Sequence, residues 1–228
     1  MSLAFLSPAA ADDAAVARSP MEGKATAAGA RFEVLDGWSV AVEYPGEERA
    51  RPSVGFADVS HWHKLEIQGD GVGGDLRAAR RDADAWVCPL TPTRALVIRG
   101  DLGRNCRYAG VSSQTPAGEG EEARADEVPV GAIDVTTCFA ALTIFGPHAR
   151  EAIARFCALD LRPQTSPPGS FRPGSIARQP GMILVQDADR FLLLFGWAVG
   201  EYMWSVVDDA ARSLDGGPVG SRALKIND

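Results

Sequence analysis

The stretch Gly55-Phe56-Ala57-Asp58-Val59-Ser60-His61-Trp62-His63-Lys64-Leu65-Glu66-Ile67-Gln68-Gly69 returns later in the chain. Its second form is Gly131-Ala132-Ile133-Asp134-Val135-Thr136-Thr137-Cys138-Phe139-Ala140-Ala141-Leu142-Thr143-Ile144-Phe145-Gly146. Both copies read Gly, then Asp-Val-Ser/Thr, then four or five varied residues, then Leu-x-Ile-x-Gly. Leu and Ile two apart place both side chains on one face of a strand. The acidic residue marks the turn that enters it, and the glycine stops it. A repeat of this kind predicts two related halves, and a seam between related halves is a common place for a ligand.

The 228 residues suffice for one large domain or two small ones, and 46% hydrophobic with 23% charged residues is ordinary for a globular chain. A formal net charge of −7 argues against a nucleic-acid partner, which requires a Lys/Arg footprint. Arg77, Arg80 and Arg81 cluster, but Asp75, Asp82 and Asp84 surround them, which predicts a solvated helix face. The four cysteines, 88, 106, 138 and 157, have no C-x-x-C spacing, and Cys138 and Cys157 read as small core residues. His61 and His63 would share a face of one strand, but His148 is the sole further histidine, so no metal is expected. No basic leader or membrane-length apolar run is visible, so the chain is expected to be cytoplasmic.

Working outward, residues 1–30 are small and weakly patterned and predict a partly disordered N-terminal arm. Arg31–Val34 and Ser39–Tyr44 flank Asp36-Gly37, a hairpin signal. Asp75 reads as the cap of a helix carrying Leu76, Ala79, Ala83 and Trp86. Ala95–Ile98 reads as a strand, and 110–127 is too polar to offset its ordering entropy, which predicts a mobile loop. Gly146-Pro147 opens a helix with Ala149, Ile153 and Phe156 on one side. Met182–Gln186 and Phe191–Phe195 form a second hairpin across Asp187–Arg190. A last helix presents Val199, Tyr202, Met203, Val206, Val207, Ala210 and Leu214 and ends at Asp215-Gly216-Gly217, after which Pro218–Ile226 predicts an edge strand. The fold class is α+β of the split βαβ kind, with a first half at 31–127 and a second at 128–228.

Several of these motifs occur in a familiar order. Gly29-Ala30-Arg31-Phe32, Gly37-Trp38, Tyr44, Gly55-Phe56-x-Asp58-Val59-Ser60-His61 and Lys64 resemble the N-terminal region of the glycine cleavage T-protein (aminomethyltransferase) family. Gly146-Pro147-x-Ala149-Arg150, Asp160-Leu161, the hairpin near Phe191 and Pro218-Val219-Gly220-Ser221-Arg222 resemble the second half of its folate-binding region. Ser166-Pro167-Pro168-Gly169 is similar to the gamma subunit of heterotetrameric sarcosine oxidase, a smaller relative. The resemblance implies two pseudo-repeated, ferredoxin-like halves framing a folate-type cleft, without the family's C-terminal barrel. It also implies a carboxylate from an Asp-Asp turn at the reactive pterin nitrogen, where it would stabilise a cationic intermediate and handle protons.

The chain departs from that pattern at the chemistry. No Asp-Asp pair lies between Gly69 and Val128; Asp75 reads either as a remnant of the catalytic carboxylate or as a helix cap. The family's pterin-binding glutamate falls on Ala188, which leaves Asp187 and Asp189 as substitutes or as turn residues. Arg222 matches a family arginine, but the aspartate that follows it there is Ala223 here. Trp38 and Tyr44 offer flat surfaces for a pterin or ordinary hairpin packing. Two readings follow. One is a non-catalytic subunit or regulatory binding protein of one-carbon or sarcosine–glycine metabolism, forming a homo- or hetero-oligomer through Phe171, Trp197 and the arm. The other is a small tetrahydrofolate-dependent aminomethyltransferase.

Overall fold

A computed structural model describes residues 16–50, 53–82, 84–100 and 132–226. In chain order the elements are β1 (Ala17–Arg18), α1 (Glu22–Ala27), β2 (Arg31–Leu35), β3 (Trp38–Glu43), the single turn α2 (Glu47–Ala50), β4 (Gly55–Asp58), β5 (His63–Gln68), β6 (Arg80–Asp82), β7 (Ala85–Thr91) and β8 (Arg94–Arg99). They continue with β9 (Ala132–Asp134), β10 (Phe139–Phe145), α3 (Ala149–Ala154), β11 (Phe171–Ile176), β12 (Gln179–Asp187), β13 (Arg190–Gly196), α4 (Gly200–Arg212) and β14 (Gly217–Pro218). The fold is α+β: a six-stranded sheet β11-β12-β13-β10-β4-β14, a five-stranded sheet β6-β7-β8-β5-β9 and a small sheet β1-β3-β2.

The central sheet is buried on both faces, which explains its unalternating apolar runs. Phe191, Leu193 and Phe195 face the helices, while Leu192 and Leu194 face the five-stranded sheet, and all five are fully buried. Each such side chain contributes about 1.5–3 kcal/mol of burial. On the helical side α4 inserts Met203, Trp204, Val207, Ala210 and Ala211, spaced along one stripe, and α3 adds Ala149 and Ile153. On the other side Cys88, Leu96 and Ile98 meet Ala57, Phe145 and Leu184. Asp36 and Gly37, at φ 48° and 77°, make the primed two-residue turn that joins β2 to β3.

The two echoed stretches cross each other. The strand before the first Asp-Val-Ser, β4, pairs with β10, which follows the second acidic turn; β9, before the second, pairs with β5, which follows the first. Asp58 Oδ1 accepts from Ser60 N at 2.9 Å and Asp134 Oδ1 from Thr136 N at 2.8 Å, so both aspartates shape the turn that enters a strand. The hydroxyl of each turn then receives a backbone N–H from the other copy's strand: Ala141 N donates to Ser60 Oγ at 3.1 Å, and Lys64 N to Thr136 Oγ1 at 3.1 Å. Val59 N to Ala141 O (3.0 Å) and Val135 N to Lys64 O (2.9 Å) complete the exchange. Leu65, Ile67, Leu142 and Ile144 are all buried.

Several expectations are corrected. The helix expected from Asp75 is a turn followed by the β6–β7 hairpin, with Arg81 opposite Trp86 and Asp82 opposite Ala85. Its four apolar residues fit a helical stripe, but Ala85, Val87 and Pro89 all turn buried faces in a strand. Arg80 and Arg81 therefore lie on the edge strand β6, and Arg77 lies in the turn before it. Within the N-terminal stretch, Met21 and Ala25 are buried in the main core. Cys138 is exposed, in a 3₁₀ turn at Thr136–Cys138, whereas Cys157 and Cys88 are buried. Phe171 is fully buried and cannot serve as a contact for a partner. Tyr202 is 46% exposed and donates its hydroxyl to Ala177 O; Trp204 fills the core position instead. The C-terminal edge strand is the two residues of β14, parallel to β4, followed by a 3₁₀ turn. The segment 110–127, Cys106 and residues 1–15 lie outside the described residues.

Candidate functional site

A cleft of about 260 Å³ opens where the five-stranded sheet, the β12–β13 hairpin and the C-terminal 3₁₀ turn converge. The first crossover supplies His61 and Trp62, the residues directly after Asp-Val-Ser. The β6–β7 hairpin supplies Arg81, Asp84 and Trp86, and the end of β8 supplies Ile98 and Gly100. Gln186 and Arg190 enter from the second hairpin, Leu35 from the tip of β2, and Ser221 and Leu224 from the C-terminal turn.

Gln186 reaches the cleft because β12 slips register between Val185 and Asp187, a bulge that re-aims the extra residue. Its Oε1 and the Nε1 of Trp86 are buried without a hydrogen-bond partner among the described residues. An unpaired buried acceptor or donor costs about 1–3 kcal/mol, so the two side chains hold the cleft wall at some expense of stability. Arg81 lies with its guanidinium 5.1 Å from the Trp86 ring centre. Arg190 donates to Leu224 O at 3.3 Å and stands 5.9 Å from the Phe145 ring centre. Asp84 is the cleft's one carboxylate among the described lining residues, and it is paired with Arg99 at 3.1 Å.

The turn between β12 and β13 is held from outside. Arg150 donates to Ala188 O at 2.7 Å while covering the Phe191 ring at 4.9 Å, and Gly146 N donates to Asp189 O at 3.0 Å. Gly146 needs its glycine: at φ 110° an added Cβ would stand 2.5 Å from Ser53 O. The Gly146-Pro147-x-Ala149-Arg150 motif thus fixes the hairpin whose flanks, rather than tip, line the cleft.

None of the site residues read from the sequence lines it. Asp75 is exposed and accepts from Arg77 N at 3.0 Å in a local turn. Asp187 is exposed and accepts from Ala188 N at 2.7 Å, and Asp189 is exposed beside it. Arg222 forms a surface ion pair with Glu33 at 2.7 Å. Tyr44 is 4% exposed, with its ring 6.1 Å from that of Trp204, and burial pushes its hydroxyl pKa far upward. Trp38 is 9% exposed and packs at 6.0 Å against Trp197. His61 sits in the turn and His63 begins β5, so they do not share a strand, and among the described residues no group of three metal-type ligands occurs.

Behind the cleft wall Lys64 is fully buried and donates Nζ to Ser60 O (2.9 Å) and Trp62 O (2.8 Å), tying the His61–Trp62 loop. Burial pushes its pKa down to about 7, against the pull of Asp58 and Asp134. Burial likewise raises Asp58, opposed by hydrogen bonds from Ser19 and Ser60. The sequence did hold a signal for the cleft. Trp62 follows the repeated motif directly, and Gln186 is the polar residue that closes the apolar run Met182–Val185.

No family model matches the chain. Over 92 residues, 38% of this chain, it is 37% identical to an aminomethyltransferase of Picosynechococcus sp. (strain ATCC 27264 / PCC 7002 / PR-6), and that match spans 24% of the relative's length. An aminomethyltransferase of Deinococcus deserti is 36% identical over 64 residues, 26% of this chain and 18% of that protein. Among solved structures, a chain of the heterotetrameric sarcosine oxidase from Corynebacterium sp. U-96, in complex with pyrrole 2-carboxylate, superposes with TM-score 0.60 at 17% identity. That likeness covers 89% of this chain and 98% of the other. The glycine cleavage system aminomethyltransferase T of Bartonella henselae gives TM-score 0.58 at 16% identity, over 91% of this chain and 60% of that one. The chain is therefore T-protein-like: it resembles aminomethyltransferases in part of its sequence and shares its fold with them and with a sarcosine oxidase chain.

Proposed function

We propose that this chain is a non-catalytic, T-protein-like binding protein or subunit, whose cleft takes a folate-type ligand and whose setting is one-carbon or sarcosine–glycine metabolism. The observation that carries this reading is the state of the cleft's carboxylate. Aminomethyl transfer to a weakly basic nitrogen needs a carboxylate available to stabilise positive charge and handle a proton. Asp84 is held by Arg99, and Asp75, Asp187 and Asp189 stand outside the cleft in local turns. Tetrahydrofolate is the proposed ligand, and the flat surfaces that Trp62 and Trp86 bring to the lining support it.

In this reading residues 31–127 and 128–228 are repeat-related halves that exchange their first strands, and the reciprocal hydrogen bonds of Ser60 and Thr136 support it. The likeness to a chain of a heterotetrameric enzyme supports a role inside an assembly. Among the described residues no helix is long and apolar enough to cross a membrane, and a cytoplasmic place is part of the proposal. The test is a titration of the full chain with 5-formyltetrahydrofolate, followed by tryptophan fluorescence, beside an aminomethyl-transfer assay. Saturable quenching without transfer is expected; no binding at millimolar ligand ends the reading, and transfer by the isolated chain replaces it with the enzyme.

A further inference from the structure

Among the described residues every sheet edge but one is short or covered. β1 and β14 are two residues long, the latter with Pro218, and β6 and β9 are three. The six-residue β11 carries Pro173, and its edge is covered. Phe171 N donates to Arg77 O at 2.9 Å, and β-bridges tie Ser170 to Ala78 and Ile176 to Cys157. Short strands, prolines and covering segments are the usual devices that keep an edge from pairing with another chain. β2 has none of them. It runs five residues at the edge of the small sheet, and Val34 on it is 62% exposed. Its two charges repel no incoming strand, since Arg31 and Glu33 are paired with each other, with Glu43 and with Arg222 at 2.6 to 2.7 Å.

The hairpin decides which backbone groups of β2 face outward. The two-residue turn at Asp36-Gly37 makes Leu35 and Trp38 a hydrogen-bonded pair, and such pairs alternate along an antiparallel ladder. Val34–Ser39 and Phe32–Ala41 are therefore pairs whose N–H and C=O groups point away from each other. Those of Ser39 turn toward β1, which lies beside it. Those of Phe32 and Val34 meet no backbone partner among the described residues.

This edge is complementary to itself. A second β2, antiparallel and related by a two-fold axis at Glu33, sets Phe32 of each copy opposite Val34 of the other. The outward groups of all four residues then exchange N–H···O bonds, and the two apolar pairs share one face. On the other face each Glu33 lies diagonal to Arg31 of the second copy, so the carboxylates that meet at the axis are flanked by guanidinium groups. We propose that two copies of this chain associate through their β2 edges in this register, joining their small sheets into one of order β1-β3-β2-β2-β3-β1. Arg31 of the second copy stands opposite Leu35, a lining residue of the cleft, so each copy borders the other's cleft. The inference does not depend on what the cleft binds.

The experiment is sedimentation velocity of the full chain over a concentration series, beside two variants. Val34→Pro removes an N–H that points outward and leaves the β2–β3 ladder its bonds, while Val34→Lys puts a charge on the edge with the backbone unchanged. The expected result is a concentration-dependent dimer of the native chain, weakened about tenfold or more in both variants with the far-UV circular dichroism preserved. In the dimer the amides of Phe32 and Val34 exchange hydrogen more slowly than in the monomer. A native chain that stays monomeric throughout overturns the inference. So does a dimer equally tight in Val34→Lys, or one that leaves both amides fast, because it uses another face. If Val34→Pro unfolds, Val34→Lys decides alone.

Discussion

The two echoed stretches share a motif and a hydrogen-bond scheme, yet they sit in different places and do different work. In the first, β4 lies between β10 and β14 in the central sheet, so Phe56 and Ala57 are both buried. In the second, β9 is an edge strand, and Ile133, the counterpart of Ala57 counted back from the aspartate, is 55% exposed. The turns differ as well. The first carries His61 and Trp62 into the cleft and ties them with Lys64; the second has Ala141 in the place of Lys64 and a 3₁₀ turn ending in the exposed Cys138. One motif thus supplies a structural clasp twice, and the cleft grows on only one of the copies. Function belongs to the site rather than to the fold, and here the two can be told apart within one chain.

The comparison breaks most sharply at the strands before the turns. Phe56 is fully buried with its ring edge-on to Trp204 at 5.0 Å, so Phe56→Ala is expected to cost about 3–5 kcal/mol in urea unfolding. Ile133→Ala, at the exposed edge, should stay within about 0.5 kcal/mol. Equal losses would mean that the two strands are equivalent in packing.

The clasp itself predicts near equality. Ser60→Ala orphans Ala141 N–H and Thr136→Val orphans Lys64 N–H, each buried, for about 1–3 kcal/mol apiece by the same measurement. A loss at one copy alone would show that the reciprocity is geometric and carries little energy.

The last test is electrostatic, confined to the first copy and read as a slope against pH. Lys64 has its pKa pushed down to about 7 in the folded chain, against 10.5 for an unburied lysine. Between these values the unfolded chain binds the extra proton, so stability rises as pH climbs from about 7 toward 10, by at most about 1.4 kcal/mol per pH unit. Lys64→Met should flatten this part of the stability–pH curve. An unchanged slope would show that the ammonium keeps its proton through its contacts with Ser60 and Trp62 carbonyls and the nearby Asp58 and Asp134.

Much of the framework is legible in the sequence because local chemistry decides it. Asp36-Gly37 can hardly join two alternating runs except as a tight hairpin, and the buried double-faced strands announce themselves as unbroken runs at Met182–Val185 and Phe191–Phe195. The acidic turns are legible for the same reason. What pairs with what is not, since the exchange of β4 and β9 between copies depends on contacts more than sixty residues away. The segment after Asp75 misleads because short apolar runs with arginines between them suit a helical stripe as well as a hairpin, and the pairing partner β8 settles it. At the turn Asp187–Asp189 the sequence shows its charge at the tip, whereas the flanking Gln186 and Arg190 line the cleft. A bulge turns Gln186 inward, and that displacement of one residue has no signature in composition.

The central claim is that the ligand sits between the first crossover and the second hairpin. Hydrogen–deuterium exchange of the full chain with and without saturating 5-formyltetrahydrofolate tests it directly. The account predicts added protection at 61–62, 81–86 and 186–190, and none at the exposed turn around Asp75. Protection confined to the acidic surface hollow near Glu43 and Glu48, with the cleft unchanged, would contradict it.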